Sequence, residues 1–245
     1  MGELDDRVVA VGKLSLLASR EGWLEGQRVD PAFRQQGIAL ALTGYLTERA
    51  QQLELRVLRL ATHSANTAVH RIAARLGYHR VATVAPFASD GLGAGAPTLA
   101  VLQENHYSEI QNWLGRSPIL RAAGGLFGRG WAWQELTAKR VHGLLAEGQV
   151  LGLLGPQGGL RAFAVLGSRG RLGEPMEGLE VGYVDGDWRA LEDLALGLRG
   201  AAVARGADTV HLMLIDEPTL RSVFQAAGFR NELEGRDLWV YERVL

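Results

Sequence analysis

The chain has 245 residues, 47% of them hydrophobic, with 26 basic and 27 acidic side chains and a net charge of −1. Nothing in that balance offers a polyanion or a membrane surface a basic partner, so neither a nucleic-acid nor a membrane partner is expected. The absence of cysteine excludes disulfides, thiolate catalysis and cysteine metal sites.

Further exclusions follow from order along the chain. No stretch of about 18 apolar residues occurs, and no basic start leads into an apolar run, so a soluble cytoplasmic protein is expected. His63, His79, His106, His142 and His211 stand at no metal-ligand spacing, and no metal is expected. Lysine occurs only at Lys13 and Lys139; the other basic residues are arginine.

The first strand is read over Arg7–Leu17 from its β-branched content. After a turn at Ser19–Gly22, a second runs from Trp23 to Val29 and ends at Pro31, which cannot donate to a ladder. A helix follows over Ile38–Gln52, with Ile38, Leu42, Tyr45 and Leu46 at helical spacing. A central strand at Leu55–Ala61 comes next. A second helix, Asn66–Leu76, is closed by Gly77, and strands are expected at His79–Pro86 and Thr98–Gln103 around a glycine-rich loop. Beyond them come helices at His106–Leu114 and Gln134–Glu147, then strands at Val150–Leu154 and Leu160–Ser168. Gly155-Pro156-Gln157-Gly158-Gly159 reads as a hairpin turn between strands, not a phosphate loop.

The stretch Val29-Asp30-Pro31-Ala32-Phe33-Arg34-Gln35-Gln36-Gly37-Ile38-Ala39 joins a strand to a helix start. Gly37 lets backbone approach a ligand, and the first helical turn leaves N–H groups without intrahelical partners. Those donors and the helix dipole suit a diphosphate. The segment Arg34-Gln35-Gln36-Gly37-Ile38-Ala39, preceded by Val-Asp-Pro-Ala-Phe, resembles the pyrophosphate-binding motif of the GNAT acetyltransferases. The resemblance includes Asn66 and the Leu76-Gly77-Tyr78 helix ending, and it covers roughly residues 5–103. It implies acetyl-CoA as cosubstrate, held by Gln27, Val29, Arg34, Gln35, Gln36, Gly37, Ile38, Ala39 and Asn66.

Acetyl transfer to an amine needs a base, and the resemblance makes Glu25 the candidate. Strand alternation puts Glu25 on one face with Gln27 and Val29, and burial beside Trp23 and Leu24 is expected to raise its pKa. The alternative is a structural carboxylate paired with an arginine. The family's acid, a tyrosine seven residues after the asparagine, is Ala73 here. His70 or Tyr78 would have to replace it, or the thiolate would leave unaided. Trp131 and Trp133 are core residues or the lining of an aromatic acceptor pocket.

Slid along itself by 155 positions, the chain repeats: Leu24-Glu25 meets Leu179-Glu180, Val29-Asp30 meets Val184-Asp185, and Phe33-Arg34 meets Trp188-Arg189. Gly77-Tyr78 meets Gly228-Phe229 after a loss of four residues. Two GNAT-like domains are therefore expected, at 1–103 and 104–245. The expected class is mixed α/β (α+β), each domain a mixed, largely antiparallel sheet flanked by helices. In the second copy Gln36, Gly37 and Ile38 become Leu191, Glu192 and Asp193, and two carboxylates there would repel a diphosphate. The first copy lacks the opening strand and helices that precede the repeat in the second, which suggests an incomplete N-terminus. The expected protein is an N-acetyltransferase acting on a primary amine of a small molecule such as an amino acid, possible as a homodimer. The alternative is a non-catalytic CoA-binding or dimerising scaffold.

Overall fold

A computed structural model describes residues 1–167, 178–234 and 236–245. In chain order the strands and helices are β1 (Gly2–Leu4), β2 (Arg7–Leu17), β3 (Glu21–Val29), α1 (Ile38–Gln52), β4 (Val57–His63), α2 (Thr67–Arg75), β5 (His79–Asp90) and β6 (Ala100–Val101). Then come α3 (Tyr107–Arg116), α4 (Pro118–Ala122), β7 (Leu126–Arg129), β8 (Ala132–Glu135), α5 (Ala138–Ala146), β9 (Val150–Leu154) and β10 (Leu160–Leu166). The last are β11 (Gly178–Gly186), α6 (Leu191–Ala204), β12 (Thr209–Ile215), α7 (Pro218–Ala226), β13 (Arg230–Asn231) and β14 (Leu238–Val244).

Two compact units emerge: Met1–Ala82 with Leu238–Leu245, and Thr83–Asp237. This division differs from the expected boundary at 103/104, for a reason of strand pairing. Strand β14, made by the end of the chain, pairs antiparallel with β4 in the first unit, from Leu238↔His63 to Val244↔Val57. The later part of β5 pairs antiparallel with β12 in the second, and β6 pairs with β9 there. Partners so far apart in sequence leave no local signal.

In the first unit the strand order is β1-β2-β3-β4-β14, with only β3 and β4 parallel. Helices α1 and α2 pack together on one face. Between them and the sheet lies a core of Leu24, Ala50, Leu55, Leu58, Leu60, Ala73, Tyr78 and Tyr241. Burying each leucine there stabilises by roughly 1.5–3 kcal/mol. The Tyr78 hydroxyl, deep in this core, is hydrogen-bonded to Thr47 Oγ1 at 2.9 Å, which meets its polar requirement.

The second unit orders its sheet β5-β12-β11-β10-β9-β6, with β13 on β5 and only β11 and β12 parallel. The helix expected from Gln134 starts instead at Ala138, where the Thr137 hydroxyl accepts from Arg140 N–H. Gln134 belongs to the hairpin β7–β8, whose turn holds Gly130 at φ +60. The short helix α4 was not expected; Ser117 caps it and Pro118 opens it. Ser168, the expected end of β10, lies outside the described residues. Trp133 is buried in the core, while Trp131 stands exposed at the hairpin turn.

Candidate active site

The turn after β3 is built by local chemistry. Asp30 Oδ1 accepts from Ala32 N–H and its other oxygen meets Arg7 at 2.7 Å, fixing the Pro31–Phe33 single turn. Arg34 donates its Nε–H to Val29 O at 3.2 Å, folding its side chain back along the strand end. Gln35 and Gly37 both take left-handed backbone, at φ +63 and +82. Gly37 caps α1, and nothing lies within 4 Å of where its Cβ would stand. Gln35, Gln36 and Gly37 are exposed, with Ile38 and Ala39 half-buried. No acidic residue sits in the first turn of α1. Alternating left-handed residues at a helix start turn successive N–H groups toward one concavity, which suits an anion. The residues present therefore fit a diphosphate, with Arg34 beside them as a cation.

From this turn β3 runs back beside β4. The parallel pairing of the two covers Glu21↔Val57, Gly22↔Leu58 and Trp23↔Arg59, and beyond Trp23 the strands part. A wedge therefore opens along Leu24–Val29. The strand is also bulged: Val11 faces Arg28 but Lys13 faces Glu25, so β3 carries one extra residue there. Gly26, at φ +67, supplies the left-handed residue that such a bulge requires.

The bulge corrects the expected face of Glu25. Ala10, opposite Val29, and Lys13, opposite Glu25, lie on opposite faces of β2, so Glu25 and Val29 do as well. Gln27 faces α1: its Nε2 donates to Ala39 O at 2.9 Å and to Thr43 Oγ1 at 2.8 Å, tying the strand to the first helical turn. Glu25 projects to the other side. It is half-buried, 2.8 Å from Lys13 Nζ, and accepts from Ser15 Oγ at 2.6 Å. The expected apolar pocket around it is replaced by these two polar neighbours.

Asn66 caps α2, accepting from Val69 N–H at 3.3 Å and donating to Thr62 Oγ1 at 2.9 Å. His70 is bound at both nitrogens. Its Nε2 lies 2.9 Å from Ser64 O, which can only accept, so Nε2 carries the proton. Its Nδ1 then accepts from the Tyr241 hydroxyl at 3.0 Å, and the ring stacks on Trp239. Burial raises the Tyr241 hydroxyl pKa, with Arg80 opposing. A histidine so enclosed is a structural joint and has no free nitrogen for proton transfer. Tyr241 and Trp239 were not anticipated, because they reach α2 from the far end of the chain.

Another unanticipated feature is the charged group under the wedge. Buried Arg59 on β4 reaches Glu21 on β3 and, at 2.6 Å, Glu242 on β14. Three strands are thereby fixed by one guanidinium where the wedge begins.

The corresponding place in the second unit is closed. Helix α6 is entered through Ala190, fully buried with right-handed backbone, and Glu192 and Asp193 occupy its first turn. Parallel pairing of β11 with β12 continues to Val181↔Leu212. The bulge recurs, with Gly182 as the extra residue, and a Cβ on Gly182 would stand 1.7 Å from Gly128 O of β7. Glu180, aligned with Glu25, has its pKa raised by burial, against which His211 and Gly130 N–H act.

Among the described residues no group of metal-ligating side chains occurs, and no helix is long and apolar enough to cross a membrane. The acetyltransferase (GNAT) family profile matches residues 1–78. Among curated proteins no sequence matches. Solved structures share the fold over nearly the whole chain. A GCN5-related N-acetyltransferase from Sphaerobacter thermophilus is 15% identical with a TM-score of 0.66, over 98% of this chain and 78% of that one. A tandem GNAT protein of the clavulanic acid biosynthesis pathway is 14% identical, TM-score 0.55, over 99% and 81%. A GNAT-family acetyltransferase from Colwellia psychrerythraea is 11% identical, TM-score 0.55, over 98% and 83%. Residues 1–78 thus match the GNAT acetyltransferase family by sequence, and over its length the chain shares the fold of these solved structures.

Proposed function

We propose that the first unit is an acetyl-CoA-dependent N-acetyltransferase acting on the primary amine of a small molecule, such as an amino acid. The observation that carries this reading is the open turn Gln35–Gly37 at the start of α1, set beside the wedge between β3 and β4. Bound acetyl-CoA would supply the acetyl thioester. Backbone N–H groups of Gln36, Gly37, Ile38 and Ala39, with Arg34, would hold its diphosphate. The bulged backbone at Gly26–Val29 faces the wedge and would orient the thioester. Glu25, on the face away from α1, would take the proton of the incoming amine, with Ser15 and Lys13 fixing its carboxylate. Ala73 is fully buried and His70 is engaged at both nitrogens, so the thiolate would leave without a side-chain acid.

That last arrangement also supports a second reading, a non-catalytic CoA-binding scaffold. Thiol release from acetyl-CoA, followed across a panel of amino acids and simple amines, separates the two. Turnover with a primary amine supports the enzyme. Measurable CoA binding with no turnover on any amine would leave the scaffold.

A further inference from the structure

The second unit contains a cleft of about 400 Å³, lined by Trp113 and Arg116 at the end of α3, Ser117, Arg161 on β10, Asp185 on β11 and Trp188 in the turn after it. Its size falls in the range of small-molecule sites, about 300–1,000 Å³. Nothing in the acetyl-transfer reading uses it.

The floor is a closed polar network. Tyr183 donates its hydroxyl to Asp185 Oδ2 at 2.7 Å, Gly186 N–H donates to Oδ1 at 2.8 Å, and Ser117 Oγ lies 3.2 Å from Tyr183 Oη. Asp185 and Ser117 are at most 2% exposed. Burial raises the Asp185 pKa, while these donors and the charge of Arg116 act against it. A carboxylate so fully supplied with donors is a rigid wall and has little left to offer an incoming cation. The other acid, Asp187, spends Oδ1 on Arg189 N–H at 3.1 Å.

The walls carry the unspent chemistry. The Arg116 guanidinium stands over the Trp113 ring, its Cζ 4.7 Å from the ring centroid. With other described residues, neither Arg116 nor Arg161 makes a side-chain hydrogen bond or an ion pair. Trp188 is 38% exposed at the rim. Two guanidiniums with donors to give, beside two indole faces, match a ligand with an anionic group and a flat apolar body. We infer that the second unit, which has lost the diphosphate turn, binds a small aromatic carboxylate in this cleft.

The test is a titration of the intact chain with 2-naphthoate, following the indole N–H resonances of Trp113 and Trp188 by NMR, with Trp113→Phe and Trp188→Phe to assign them. Saturable shifts of both are expected. The uncharged 2-naphthamide should bind at least tenfold more weakly, and Arg161→Gln should weaken 2-naphthoate about tenfold, the worth of one charged hydrogen bond. Arg116→Gln should act likewise; if it unfolds, Arg161→Gln alone decides. Gly37→Glu, in the first unit, should leave the titration unchanged. Absent or unsaturable shifts would overturn the proposal. So would equal affinity for the amide, full affinity in a folded Arg161→Gln variant, or loss of binding in Gly37→Glu.

Discussion

Helix α1 starts at Gly37, left-handed, exposed and without an acid in its first turn; α6 starts at buried Ala190 and carries Glu192 and Asp193. Both starts follow a bulged strand, with Gly26 as the extra residue in the first unit and Gly182 in the second. What the fold requires is common to them: the strand, the bulge, the turn and the helix. What differs is open space and charge. In the first unit the β3–β4 pairing stops at Trp23, while in the second β11–β12 runs on to Val181 and the hairpin closes on Gly182. The two helix starts thus differ in packing as well as in charge.

The largest expected effect concerns Arg59. Arg59→Leu leaves Glu21, fully buried, without its main partner. It should cost about 3–5 kcal/mol of stability, read from the denaturant midpoint. A loss under about 1 kcal/mol would mean that the group contributes nothing net.

Next is the pair of aligned glutamates. If Glu25 is the base, Glu25→Gln should lower kcat by at least about 10²-fold, while Glu180→Gln leaves turnover unchanged. Equal effects, or none from Glu25→Gln, would return Glu25 to a structural role with Lys13.

The two bulges give a smaller contrast. Gly182→Ala forces a Cβ into the backbone of Gly128 and should destabilise by roughly 1–3 kcal/mol or more. Gly26→Ala meets open space and should cost only the strain of its positive φ, about 1–2 kcal/mol. Equal melting shifts would show that the hairpin yields.

Much of the first unit was legible because its punctuation is local. Pro31 and Gly37 mark the turn, and β2 and α1 fall where residue pattern put them, at Arg7–Leu17 and Ile38–Gln52. The face of Glu25 was not legible, since a single extra residue at Gly26 reverses the alternation. Nor was the joint between His70 and Tyr241, 171 residues apart, or the placing of β14 beside β4. The hairpin β7–β8 was obscured because Gln134–Glu147 has residues of helical preference, and the Thr137 cap decides where the helix begins.

The smallest expected effect is a pH slope confined to the second unit. Burial raises the pKa of both Asp185 and Glu180. The folded state therefore binds protons more tightly than the unfolded one between the ordinary carboxylate value and the raised one. Stability should fall as pH rises through that window, by at most about 1.4 kcal/mol per pH unit for one proton. Glu180→Gln should flatten the slope just above the ordinary carboxylate value; an unchanged slope would assign it elsewhere.

The central claim is that one unit of two keeps a CoA site, and stoichiometry tests it most directly. Calorimetric titration with CoA should give one site per chain, none in Gly37→Glu, and still one in Glu192→Gly. Two sites in the unaltered chain, or unweakened binding in a folded Gly37→Glu variant, would contradict the account.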